Sequence, residues 1–315
     1  MTRYQTYDLN QIKPISIQNR KSKVQSEKMA SPFHHNDTFV EFFTSLPDVL
    51  KAHDLKILVE RISKARQKSK PVIVMMGAHV IKVGLNPILI HLMEKGFIQS
   101  IATNGAGAIH DVELAYFQNT SENVEENLKN GTFGMTKETA ELLNQTVKEG
   151  QKEELGFGEV LGRKLMKEKP QGFSASLLGK AYELNIPVTV HVALGTDIVH
   201  QHPSADGAAI GELSLRDFHI FTHQISKISD GGVVLLFGST VLLPEVFLKA
   251  LAVVQNIEGQ IQKYTTAVFD MSNHYRPKMN VVERPQKAGG SGFYFIGHHE
   301  IMIPLLAASI LQKNP

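Results

Sequence analysis

Apolar residues in this chain fall into short unbroken runs separated by stretches of helical period, and the pattern is densest between residues 71 and 113. There PVIVMM at 71–76 predicts a strand, 77–84 a glycine-bounded loop, 86–95 a helix, 97–103 a second apolar strand, and NGAG a second glycine-rich loop. Runs without polar alternation suit strands covered on both faces, so the segment is the start of a parallel βαβ unit. Both loops fall at the carboxyl ends of their strands, where open α/β sheets collect ligands.

The same alternation continues to the end of the chain. Charged, helical sequence runs from 122 to 169, punctuated by Gly131, Gly134, Gly156 and Gly158, with Thr136 as a helix cap that lacks the reciprocal Glu or Gln three residues on. A helix is expected at 174–184, a strand at 187–192, a long polar loop at 194–211 and a helix at 213–228. Strands at 233–237, 264–269 and 293–296 follow, with a tight Gly238-Ser239-Thr240 turn, a helix at 244–255, a long loop at 270–292 and a closing helix from Glu300. This predicts one α/β domain over 37–315 with a mostly parallel sheet between two layers of helices. Its helical preface begins with Asp37 as N-cap, followed by an amphipathic helix at 48–66. Residues 1–36 form a polar, mildly basic arm; Tyr4, Tyr7, Leu9, Ile12, Ile15 and Ile17 give it apolar contacts, which favours an ordered arm over a loose tail.

Composition narrows this little. A chain of 315 residues with 42% hydrophobic content can bury a large core, and a net charge of +2 gives no argument for nucleic acid or membrane. The absence of cysteine excludes disulfides, thiolate nucleophiles and thiolate metal sites. No apolar run approaches the roughly 20 residues of a membrane span, and a cytoplasmic protein is expected.

Candidate chemistry lies in the loops. Gly77-Ala78-His79, Asn104-Gly105-Ala106-Gly107 and Gly238-Ser239-Thr240 each follow an apolar strand and converge on one sheet edge, which favours a nucleotide or another phosphate-bearing ligand. The G-x-G-x-x-G pattern itself fails, because His110 stands at the third glycine. Lys82 and Lys287 are candidates for a Schiff base, or plain solvated charges or phosphate contacts. Asp206 and Glu212 are candidates to anchor a cationic amine, or caps for the helix that follows; His110 and Asp111 are acid/base candidates acting separately. His200-Gln201-His202, extended, would put two imidazoles on one face. With His298-His299-Glu300 and Asp197, Asp206 or Asp270 they offer a rival reading as a metal-dependent hydrolase, although ordinary hydrogen-bonding histidines account for them too.

GAHVIKVGLNPILIHLMEKGFIQSIATNGAGAIHD resembles a segment of the deoxyhypusine synthases that ends in T-A-G-G-V-E-E-D. The resemblance continues with Asp206-Gly207 and Gly211-Glu212, with VVLLFGSTV at 233–241 and with Arg284-Pro285-Gln286-Lys287-Ala288, in matching order over 72–293. Asn104 to Glu113 is also similar to the G-N-A-x-A-V-H-D-x-E of the NAD-dependent domain of some ornithine cyclodeaminases. The resemblance implies a Rossmann-like NAD-binding fold in a homo-oligomer, a tetramer or dimer, acting on a polyamine, a related amine or a basic amino acid. It places Gly77, His79, Val80, Asn104, Gly105, Gly107, Asp111, Gly238 and Ser239 along the cofactor and Asp206 and Glu212 toward the substrate; the residues themselves add His200 and His202 as substrate-binding candidates and Lys287, Lys82 and His110 as candidates for the chemistry. The family's W-G-K lysine falls on Phe293 and the chain has no tryptophan, so deoxyhypusine formation is not expected. A non-catalytic NAD-binding protein is the third reading.

Overall fold

The structure is a computed structural model and describes residues 2–313. The chain divides into two compact units, Met1–His53 and Asp54–Pro315. In the first, short 3-10 turns precede α1 (Phe39–Ser45), and none of the described residues is buried. The N-cap of α1 is Thr38 rather than Asp37: Thr38 and Glu41 form a reciprocal capping box, while Asp37 accepts the N–H of His34. A Glu three residues past the cap decides the register, because it can return a bond to the cap's own N–H. The apolar residues of the arm, Tyr7 foremost at 91% exposure, stand open.

After α2 (Leu50–Gln67) the chain runs through β1 (Val72–Met76), α3 (His79–Lys82), α4 (Asn86–Glu94), β2 (Ser100–Asn104), α5 (Gly105–Phe117), α6 (Val124–Lys129), α7 (Lys137–Lys152), α8 (Phe157–Glu168) and α9 (Leu177–Glu183). It continues with β3 (Val188–His191), α10 (Gly207–Ser226), β4 (Val233–Phe237), α11 (Leu242–Glu258), β5 (Thr265–Asp270), α12 (Arg284–Lys287), β6 (Ser291–Ile296) and α13 (His299–Lys313). All six strands are parallel and ordered β3-β2-β1-β4-β5-β6. The order reverses between β1 and β4, the place where a Rossmann-like sheet opens a crevice at its carboxyl edge.

Alternate residues of the central strands face opposite layers, as a two-residue period requires. Ile73, Met75, Val234 and Leu236 pack with Phe221 of α10 and Phe247 of α11. Val72, Val74, Leu235 and Phe237 meet Ile62 of α2, Leu89 of α4 and Leu306 of α13. Burial of each such side chain stabilises by about 1.5–3 kcal/mol, which is why the strands read as unbroken apolar runs.

Differences from the expected elements lie at the carboxyl edge and in the long connections. The 77–84 loop contains α3, and NGAG is the first turn of a helix rather than a loop. Helix α10 begins at Gly207, six residues before the apolar period suggests, because Asp206 accepts the N–H groups of Ala208 and Ala209. The 270–292 connection is filled by a seven-residue π-helix, Pro277–Glu283, and by α12; Val281 and Val282 tie it to the core. Among the described residues no helix is long and apolar enough to cross a membrane.

Candidate functional site at the carboxyl edge of the sheet

At the switch point the two glycine turns touch. Gly77 donates its N–H to the Phe237 carbonyl at 2.9 Å, and a Cβ on Gly77 would lie 2.2 Å from the Gly238 carbonyl oxygen. Gly238 itself has φ +60, and a side chain there would strike the ring of His299 at 2.5 Å. These two glycines are therefore required by backbone approach and by a left-handed turn. His299, at the start of α13, is buried and its Nε2 lies 3.2 Å from the Phe269 carbonyl, so in the neutral ring Nε2 carries the proton and Nδ1 is an acceptor. That Nδ1 and the Oδ2 of buried Asp270, which ends β5, have no hydrogen-bond partner among the described residues. His79 stands 5.5 Å from His299 ring to ring, and burial, reinforced by His299, holds its pKa below the usual histidine value. Ser239 Oγ accepts the N–H of Leu243 in the first turn of α11.

Next to this, β2 runs straight into α5. Asn104 caps the helix by accepting the N–H of Gly107 at 2.9 Å, and Thr103 donates to the Met76 carbonyl at 3.0 Å. A Cβ on Gly107 would meet Thr103 Oγ1 at 2.2 Å, and one on Gly105 would meet Asp197 Oδ2 at 1.9 Å. Asp197 thus occupies the approach to the positive end of α5, where the nearby Ala106 N–H favours its anion, while burial pushes its pKa up. His200 accepts the N–H groups of Gly195 and Asp197 on Nδ1, at 3.1 and 3.2 Å, so its proton sits on Nε2, 3.8 Å from Asp197 Oδ2.

Between α3, α5 and the connection after β3 opens a cleft of about 220 Å³ whose wall carries Lys82, His110, Glu113, Glu122 and Asp197. A shallower groove of about 470 Å³ shares Glu113, Glu122 and Thr136 with it. Glu113 is the hub of this wall. Thr120 donates to its Oε2 at 2.5 Å and Thr139 to its Oε1 at 2.9 Å, and His110 Nδ1 lies 2.5 Å from Thr120 Oγ1. Burial raises the Glu113 pKa, but the neighbouring His110 ring and the bonds from Thr120 and Thr139 together outweigh it and hold the carboxyl below its usual value.

The structure therefore brings together Gly77, His79, Gly238 and Ser239 at the switch point, and Lys82, Asn104, Gly105, Gly107 and His110 beside it. Other expected residues are placed elsewhere. Val80 is buried in α3. Asp111 is fully buried, and accepts from Asn86, Ser176 and the N–H groups of Leu177 and Leu178, fastening α9 to α5. Glu212 lies on the exposed side of α10, paired with Gln151 and Arg216, and Asp206 is occupied as a cap. His200 lies in a 3-10 turn, Ile198–Gln201, with His202 just beyond it, so the segment is not the extended one that would put both imidazoles on one face; His202 Nε2 instead reaches the Gly134 carbonyl. Lys287 is the clearest correction. It closes α12 just before β6 begins, beside Gly289, whose carbonyl accepts from Lys263 ahead of β5, and so belongs to the amino edge of the sheet, opposite the glycine turns. Matching by motif cannot register which end of a strand a flanking loop serves.

Asp270 and His299, considered from the sequence only as metal partners, and Thr120 and Thr139, not singled out at all, are the additions. Among the described residues no group of three or more His, Asp or Glu is placed to hold a metal ion. A separate cavity of about 550 Å³ lies away from the carboxyl edge beside Pro187 and Val188 at the start of β3.

Residues 56–156 match the family described as arginine dihydrolase ArgZ-like, C-terminal, Rossmann fold. No curated protein matches the chain in sequence. Similar solved structures include apo ArgZ, an arginine dihydrolase of the ornithine-ammonia cycle in cyanobacteria, at 15% identity and TM-score 0.51, covering 83% of this chain and 32% of that one. AgrE in ternary complex with ornithine and NAD+ superposes at 11% identity and TM-score 0.54, over 83% of this chain and 33% of that one. A putative deoxyhypusine synthase from Entamoeba histolytica superposes at 12% identity and TM-score 0.51, over 90% of this chain and 96% of that one. The chain thus spans about a third of the length of ArgZ and AgrE. At these identities the likeness is one of fold, and it places the chain in broad relationship with the Rossmann-like fold family that these proteins share.

Proposed function

We propose that this chain is an NAD-binding enzyme that acts on a basic amino acid or related amine. The observation that carries the reading is the switch point itself: two glycine turns in backbone contact between β1 and β4, with the buried acceptors His299 Nδ1 and Asp270 Oδ2 left unpaired beside them. Unpaired buried acceptors fit a ligand rich in N–H and O–H donors, as the amide and ribose of NAD are. Gly77, His79, Gly238, Ser239, Asp270 and His299 would hold it. NAD, when bound there, supplies a hydride acceptor. The known ligands of AgrE, ornithine and NAD+, favour the same substrate class. Lys82, on the cleft wall, is the remaining lysine for an imine step. Deoxyhypusine is not the expected product, because the position matched to the family's lysine is Phe293, a residue of β6 stacked on Phe295.

The test is thermal unfolding with NAD+, followed by assay of NADH formation with ornithine, arginine and spermidine. A ligand at about a hundred times its Kd stabilises by about 2.7 kcal/mol, which raises the Tm of a chain this size by about 4 °C. No shift with millimolar NAD+, NADH or NADP+ would remove the cofactor from the reading. A shift without NADH from any of these amines would leave a binding protein.

A further inference from the structure

The cleft beside the switch point holds a hydrogen-bond chain that fixes where its protons are. Helix α5 ends on Gln118 in the left-handed conformation, φ 57, and the chain turns back so that Thr120 lies against Glu113 and His110, seven and ten residues earlier. Thr120 has one hydroxyl proton, and it is donated to Glu113 Oε2 at 2.5 Å. The 2.5 Å contact between Thr120 Oγ1 and His110 must then be supplied by the ring, so the Nδ1 of His110 carries a proton. Neutral His110 is left with an unprotonated Nε2 on the cleft wall.

We propose that His110 Nε2 is the proton acceptor of this cleft, oriented by Thr120 and charge-balanced by Glu113, and that the ligand it deprotonates is a cationic amine. The inference rests on the reading above for its reaction. An ammonium cannot release hydride from the adjacent carbon until it has lost a proton and regained its nitrogen lone pair. In the step assigned here the N–H bond of the ammonium breaks, an Nε2–H bond forms, and the positive charge moves to an imidazolium whose Nδ1–H already points through Thr120 at a carboxylate. The groups that face it suit a cation. Glu113 and Glu122 are acidic and Asp197 stands on the loop after β3, against the single ammonium of Lys82 from α3. The side chains of His110 and Glu113 are 17% and 13% exposed, shielded enough for the carboxylate to act yet reachable from the cleft.

Histidine nitrogen NMR on the whole protein tests this without any turnover. Wild type should show His110 as the Nδ1–H tautomer. Glu113→Gln should shift the His110 nitrogen resonances by removing the facing carboxylate; Thr120→Val should abolish the tautomer preference and Thr120→Ser restore it. Ornithine at millimolar concentration should move the Nε2 resonance in wild type and not in Glu113→Gln. An Nε2–H tautomer in wild type, or one indifferent to Thr120→Val, overturns the relay, and an Nε2 signal unmoved by ornithine, arginine and spermidine overturns the ligand class. Where NADH formation is found, His110→Asn should cost about 100-fold or more in kcat while the Tm shift with NAD+ persists. Retained turnover in that variant also overturns the proposal. Failure of NAD+ binding is read in the thermal experiment alone, so the two readings fail separately.

Discussion

Asp217 shows what a single side chain does in this fold. It is fully buried in α10, and its Oδ2 accepts the N–H of Val190 from β3 at 2.6 Å and of Gly158 from α8 at 2.9 Å, so one carboxyl joins three elements. Gly156 is glycine for the same reason, since a Cβ there would lie 2.1 Å from Asp217 Oδ1. Burial pushes the Asp217 pKa up to about 8 against the hydrogen bonds that favour the anion. The unfolded value is about 3.9, so the folded chain holds a proton that the unfolded chain releases. The contribution of this group is therefore fully present below about pH 4 and is lost as pH rises through about 8. Denaturant unfolding of wild type and Asp217→Asn between those limits should show the wild type losing ground to the variant as pH rises. A difference that stays level across the window would mean that Asp217 is ionised throughout.

At the scale of the element, the beginning of α5 is a case where glycine serves a carboxylate of the same chain. Gly105→Ala would gain helix propensity, about 1 kcal/mol, but its methyl would fall 1.9 Å from Asp197 Oδ2, which is buried. Displacing a packed group costs about 1–3 kcal/mol, so a net loss of stability is expected. In an Asp197→Ala background the loss should vanish or change sign, and a double-mutant cycle reads the coupling directly. Additive effects would show that the carboxylate does not determine the glycine. The same geometry means that a bulky side chain at position 105 disturbs Asp197 before it meets any ligand.

For the whole molecule, protection should follow burial. Strands β1 and β4 are buried at every position and hydrogen-bonded on both sides, whereas no described residue before Leu55 is buried. Hydrogen exchange should therefore leave β1 and β4 as the slowest amides and exchange residues 2–36 within the earliest time points. Slow exchange at Tyr7, Leu9 or Ile15 would point instead to a covering partner chain, since in this unit those side chains stand open.

How far the fold was legible follows from the period of its elements. Strands at 233–237 and 72–76, the helix from Asn86 and the parallel layering could be read because a strand covered on both faces must be apolar at every position, and these are. The convergence of the three glycine turns was readable for the same reason, since a parallel sheet sends every strand's end to one edge. Pairings set by distant residues carry no period. That Glu113 meets Thr139 and Thr120, that Asp197 stands over Gly105, and that Asp111 is committed to α9 all depend on where long connections return. Lys287 makes the point most plainly: its motif was visible in the sequence, but only the direction of β6 assigns it to the amino edge. The sequence determined which segments are strands and helices, because local burial is written into local hydrophobicity. The tertiary structure alone decided which polar groups face one another, because that depends on strand order and loop return, which no local pattern encodes.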